Sequence, residues 1–156
     1  MATLEEKVQR LLDIQEIRDL KTQYAMYCDD QYNPDGIAAL FVENAIWDGG
    51  MFGRHEGREA IREFFAGASD TIEFALHLTV GDKIDVDPSG KTARGSWYII
   101  MPATFKGPQA MWCAGTYRDE YVKVDGKWYF QNVNANLNFV SPYEKGWVNE
   151  QYIPME

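Results

Sequence analysis

The apolar residues of this chain change period once, at about residue 74, and that change restricts the fold more than any other feature. Upstream, Leu4, Val8, Leu11, Ile14, Ile17, Leu20, Tyr24, Tyr27 and Cys28 recur at steps of three and four, the spacing of one helical face. Thr3-Leu4-Glu5-Glu6 reads as a capping box, so the sequence predicts a helix from there to about residue 29. Downstream come four long extended segments: Phe74 to Val86, Thr92 to Phe105, Gln109 to Val124, and Lys127 to Val140. Pro88-Ser89-Gly90, Lys106-Gly107-Pro108 and Asp125-Gly126 separate them, the last a two-residue hairpin signal of the type I′ kind. The second half is an antiparallel meander.

Between the two patterns, Asn33-Pro34 supplies a cap followed by proline, which predicts a short helix from Pro34 to Phe41. Ala45-Ile46-Trp47 reads as a strand closed by Gly49-Gly50, Phe52 to Glu56 as an extended piece, and Gly57 to Phe65 as a third helix with Ile61, Phe64 and Phe65 inward. Helices first and a meander after give an α+β domain, with three helices on one face of a curved, mainly antiparallel sheet. Residues 1–140 read as one such domain. Residues 141–156 read as an aromatic tail, with Tyr143, Trp147 and Tyr152, that covers an opening or a neighbouring subunit.

Composition narrows the function. A net charge of −9, spread along the chain, repels nucleic acid and anionic membranes. No run approaches the roughly 18 apolar residues that span a bilayer, and the amino terminus has no secretory pattern. Cys28 and Cys113 lack metal-type spacing and read as buried free thiols, which suits a reducing, cytoplasmic compartment. Aromatic residues make up 14%, enough for a large apolar pocket, a subunit interface or both. The sequence holds no Gly-x-Ser-x-Gly elbow, phosphate loop or dinucleotide fingerprint, and two separated histidines make a poor transition-metal site. The expectation is chemistry with no cofactor and no metal.

Imidazole is the side chain suited to moving protons near neutrality, and only His55 and His77 carry one. His55, between Arg54 and Glu56, reads as a residue of a charged surface loop. His77 falls early in the first long extended segment. Asp29 could orient its ring, but at 100° per residue Asp29 lies roughly 120° off the apolar face that holds Tyr24, Tyr27 and Lys21. It turns inward only if the helix ends there, and Asp30, Gln31 and Asn33 supply a polar run for such an end. In the last segment, alternation puts Trp128, Phe130, Asn132, Asn134, Asn136 and Asn138 on one face. That row is either solvated or brings Asn134 or Asn136 to a substrate, while Trp112 or Met111 is expected at the pocket mouth.

Several stretches together carry a resemblance: Leu40-Phe41-Val42-Glu43-Asn44-Ala45-Ile46-Trp47, Gly53-Arg54-His55-Glu56-Gly57-Arg58-Glu59-Ala60-Ile61-Arg62, Ala93-Arg94-Gly95-Ser96-Trp97-Tyr98, and Tyr117-Arg118-Asp119-Glu120-Tyr121 with Asp125-Gly126-Lys127-Trp128. They resemble the SnoaL-like branch of the nuclear transport factor 2-like superfamily. Over residues 8 to 140 the layout is similar to its cofactor-free lyases, which include scytalone dehydratase, bile-acid 7α-dehydratase and hexachlorocyclohexane dehydrochlorinase. The resemblance implies an α+β cone, His77 as general base and Asp29 as its partner, with Asp30 as the alternative. Tyr24 stands where the dehydrochlorinase has a catalytic lysine and Asn136 where it has a pocket arginine, so the implied reaction is loss of water rather than of halide. Tyr24 or Tyr98 would supply a hydrogen-bond donor, and Tyr27, Asp30, Trp47, Tyr98, Trp112, Asn134 and Asn136 a substrate surface. The substrate implied is a hydrophobic hydroxylated aromatic, polyketide or steroid-like molecule, and the assembly implied is a homodimer or trimer. An isomerase or cyclase using the same base, or a non-catalytic binding or assembly module, would share the pattern.

Overall fold

Thr3 opens the first helix as its sequence predicts: the Thr3 hydroxyl accepts the Glu6 N–H and the Glu6 carboxylate accepts the Thr3 N–H. This helix, α1 (Leu4–Asp29), begins a computed structural model that describes residues 1–154. Its first turns stand clear of the body, leaving Leu4, Val8, Leu11 and Leu12 exposed; burial starts at Asp13 and runs through Ile17, Leu20, Lys21, Tyr24, Ala25 and Cys28. The inward stripe is therefore shorter than the apolar spacing suggests. Gln31 and Tyr32 then take left-handed backbone angles, φ 51 and 54, and turn the chain sharply. Asn33 caps α2 (Pro34–Ala38), accepting the Gly36 N–H at 2.9 Å. That helix stops short of Phe41 because the Leu40 carbonyl is already taken by the Phe130 N–H at 2.9 Å.

There follow β1 (Phe41–Asp48), a 3-10 turn (Gly50–Phe52), β2 (Arg54–Glu56), α3 (Arg58–Ala68), β3 (Ile72–Ala75), β4 (Leu78–Val86), β5 (Thr92–Phe105), β6 (Gln109–Val124) and β7 (Lys127–Pro142). The strands form one curled sheet in the order β2-β1-β7-β6-β5-β3, with β4 also on β5. Among these strand pairs β1–β7 is parallel and the others are antiparallel. Asp125 and Gly126, at φ 50 and 79, close the β6–β7 hairpin in the mirror-image turn foreseen for them. With α1 and α3 on its concave side the whole is an α+β cone.

Two expectations need correction. The first long extended segment is broken: β3 and β4 lie end to end along β5, and Leu76 and His77 belong to neither. The break comes at His77 because its N–H is taken by a side-chain carboxylate and not by a strand partner. The single face drawn from Trp128 to Asn138 is also divided. Bulges at Gln131 and Asn138 each add a residue, so the inward set passes from Trp128 and Phe130 to Val133 and Ala135, then to Val140. The asparagines at 134, 136 and 138 consequently stay outside.

Beyond β7, which runs two residues past the expected boundary at 140, the tail makes a one-turn helix, α4 (Gly146–Asn149), and returns to the sheet. Trp147 stacks on Phe139 at 4.8 Å, and Tyr152 bridges in parallel to Val140. The last two positions of the expected tail, 155 and 156, lie outside the described residues.

Candidate active site

His77 is held by α1. Its backbone N–H and its Nδ1 both lie 2.8 Å from Asp29 Oδ1, so a single carboxylate oxygen fixes the peptide and the ring together. A carboxylate only accepts, so in the neutral ring the proton sits on Nδ1 and Nε2 keeps its lone pair, an assignment made from the hydrogen-bond network. The imidazole is 6% exposed and the Asp29 side chain 26%, so water reaches the acid but hardly the base. Helix geometry explains how Asp29 gets there. It is the last residue of α1, with Asp30 as the cap bonding back to the Met26 carbonyl at 3.0 Å.

The ring lies in the wall of an apolar cavity. Tyr24 comes from α1, Tyr32 from the turn after it, Trp47 from β1, Phe52 from the 3-10 turn, Phe64 and Phe65 from α3, and Tyr117 from β6, over a floor of Ile99, Met101, Ala135 and Leu137. The open volume is ≈ 60 Å³. Tyr32 sets its edge against His77, ring centroids 5.8 Å apart, and stacks on Phe65 at 6.0 Å. Trp47 Nε1 donates to the Tyr24 hydroxyl at 2.8 Å. That indole can lie where it does because residue 49 is glycine: a Cβ there would sit 2.2 Å from the Trp47 ring. Burial, above all, raises the pKa of Tyr24, Tyr32 and Tyr117 far above the ordinary phenol value, so all three are protonated donors at neutral pH.

Of the residues singled out in the sequence, His77, Asp29, Tyr24 and Trp47 converge here, and the others are placed elsewhere. Tyr27 packs its ring over Gly36, and Asp30 is exposed, accepting only from Asn33 Nδ2 at 3.4 Å. Tyr98 is 60% exposed on the outer face of β5. Met111 is buried in the core, and Trp112 meets Tyr143 at 6.3 Å, away from the cavity. Asn134 and Asn136 border open grooves on the outer face of the sheet. One of these grooves, of ≈ 740 Å³, is larger than the cavity, but it alternates Arg54, Lys83, Arg94 and Arg118 with Asp48, Asp85 and Glu120 and holds no imidazole. His55 is half-buried in β2, between exposed Arg54 and Glu56, and its ring stacks on Phe64 at 4.2 Å, behind Trp47.

Sequence reasoning passed over Tyr32, Phe52 and Tyr117 as cavity residues, and over a buried ion pair beside them. Lys21 Nζ donates to Asp119 Oδ2 at 2.8 Å with both side chains fully enclosed. Tyr121 also donates to that oxygen, at 3.1 Å, and accepts from Trp97 Nε1 at 3.0 Å. A signal for the pair was present: Lys21 falls on the apolar face of the first helix, and Asp119 falls in the inward row with Tyr117 and Tyr121. Charges on two buried faces require partners. Among the described residues no group of three or more His, Cys, Asp and Glu could hold a metal ion, and no helix is long and apolar enough to cross a membrane.

A curled sheet closed by helices over an apolar cavity is the cone-like fold of the nuclear transport factor 2-like class. Within that class the chain belongs to the family of the SnoaL-like domain, whose model matches residues 9–134. Solved structures agree on the fold. A hexachlorocyclohexane dehydrochlorinase, LinA type 3, from Novosphingobium barchaimii is similar at 19% identity and TM-score 0.80, over 96% of this chain and 99% of that one. LinA type 2 is similar at 20% identity and TM-score 0.81, over 87% and 92%. A candidate scytalone dehydratase from Novosphingobium aromaticivorans is similar at 22% identity and TM-score 0.79, over 88% and 91%.

Proposed function

We propose that the protein is a cofactor-independent lyase that eliminates water, or a small carbonyl fragment, from a hydrophobic hydroxylated molecule of aromatic, polyketide or steroid-like type. The observation that carries this reading is the doubled contact of Asp29 Oδ1 with the N–H and Nδ1 of His77, which leaves Nε2 as the free base beside an apolar cavity. Nε2 takes a carbon-bound proton, and the electron pair left behind becomes the new π bond. Asp29 stabilises the imidazolium while it exists. The departing hydroxyl takes that proton from the imidazolium and leaves as water, which restores the neutral base. Tyr24, its oxygen already held by Trp47, keeps its proton and donates a hydrogen bond to a substrate oxygen. The names of the similar structures, a dehydrochlorinase and a candidate dehydratase, support the class of reaction.

An open volume of ≈ 60 Å³ is well below the roughly 300–1,000 Å³ of sites for drug-sized ligands, so entry displaces side chains. Phe52 and Phe64, the aromatic members of the lining that are partly exposed, are the side chains best placed to give way. The reading includes a cytoplasmic setting, supported by the buried free thiols Cys28 and Cys113, the latter pushed by burial up to about 12. It also includes self-association. Leu78, Val80, Tyr98 and Ile100 form an exposed apolar patch across β4 and β5 that a second copy would cover, and sedimentation equilibrium measures it.

The deciding experiment incubates the protein, without added metal or cofactor, with hydroxylated steroids, polyketide phenols and lignin-type dimers, and follows new conjugation by absorbance. Turnover that survives His77→Ala overturns the mechanism. No turnover by either form puts a non-catalytic ligand-binding module of the same fold ahead, and a product that keeps its hydroxyl points to an isomerase or cyclase.

A further inference from the structure

The cavity has a charge behind its wall. Lys21 Nζ lies 3.2 Å from the centroid of the Tyr117 ring and 5.0 Å from that of Tyr24, and both rings line the cavity. Its counter-ion lies away from the ligand space, since Tyr121, which shares Asp119 Oδ2 with Lys21, and Trp97 behind it do not line the cavity. The pair therefore forms a dipole whose positive end rests on the cavity's aromatic wall. A buried ion pair is a poor way to stabilise a core, because apolar residues of similar volume often do as well or better. Its position suggests another use.

We infer that Lys21 is a positioning residue that acts through Tyr117 and Tyr24 to make this wall of the cavity electropositive, and that the site thereby selects ligands that carry or develop an oxyanion. An ammonium over an aromatic face is attracted to the ring's π electrons, and it stabilises negative charge on that phenol's oxygen or on an oxygen hydrogen-bonded to it. The low dielectric of the core strengthens the effect. The titratable groups that face the ammonium are Asp119 and Tyr117 from β6 and Tyr24 and Cys28 from its own helix. Burial lowers the pKa of Lys21 and raises that of Asp119, and each is opposed by the other's charge. The inference rests on this cavity being the ligand site of the proposed lyase, but not on His77 acting as its base.

The test uses 4-nitrophenol, whose ionised form absorbs differently from its neutral form, and reads the pKa of the bound phenol with no reaction required. In the wild type the bound pKa should fall below the free value. Lys21→Met combined with Asp119→Leu removes both charges with little change of volume and should raise the bound pKa by about one unit, a tenfold shift of the equilibrium. Asp119→Asn takes away the charge that opposes the desolvation of Lys21, so the ammonium gives up its proton and the bound pKa should rise as in the double variant. A ligand pKa that follows the charge on Lys21 would not arise from a merely structural pair. A wild-type bound value at or above the free one overturns the inference, as do failure of the phenol to bind and folded variants whose values equal the wild type's. Should neither variant fold, the wild-type comparison decides. The pKa of a bound phenol is read without any turnover, which separates this inference from the proposed reaction.

Discussion

Lys21 and Asp29 stand about two turns apart on one helix, and each makes a 2.8 Å contact with a residue distant in sequence, yet the two contacts differ in every other respect. Lys21–Asp119 is sealed, with both side chains at 0% exposure, and is packed among aromatic rings. Asp29–His77 sits where the helix ends, one partner nearly enclosed and the other reached by water. The first pair cannot exchange a proton with solvent without opening the core. The second keeps one partner within reach of water. Burial, rather than distance, separates the two contacts.

That contrast can be broken by mutation. The largest expected effect is on the proposed reaction: His77→Ala should lower turnover by about 10²- to 10⁴-fold with little change in the unfolding midpoint. Adding Asp29→Asn to His77→Ala should cost almost nothing more, because the two act as a unit, and steady-state rates of the single and double variants check this. The sealed pair should behave the other way. Lys21→Ala or Asp119→Ala alone should destabilise by about 3–5 kcal/mol in urea titrations, since each leaves a charge buried without its partner.

A second acid of the same helix, Asp13, sharpens the comparison. Burial alone would raise the pKa of Asp13, but hydrogen bonds from Lys123, Trp128 and Gln9 outweigh it and hold the carboxyl below its ordinary value. A depressed folded-state pKa adds stability that is present above the unfolded value and is lost as pH falls through the folded one. The stability gap between wild type and Asp13→Asn, measured in urea, should therefore be full at pH 7 and narrow at pH values below about 4. The smallest effect belongs to the outer asparagines. Asn134→Ala and Asn136→Ala should each stay within about 0.5 kcal/mol of wild type and leave ligand binding in the cavity unchanged.

The sequence by itself determined the elements: the capping box of α1, the Asn33-Pro34 start of α2, the Asp125-Gly126 hairpin and the ends of β5 and β6 all follow from local rules of capping, turn geometry and alternation. Such rules act over a few residues, so they can be read along the chain. Tertiary structure decided what local rules do not reach. It placed His77 in a gap between strands, because the peptide N–H went to a carboxylate 48 residues away. It moved the asparagine row outside, because two bulges reset the alternation. It joined Lys21 to Asp119 across 98 residues, where each appeared in the sequence only as a charge on a buried face. The period of the side chains settles which face a residue occupies, but only the closing of the sheet under the helix settles what it meets there.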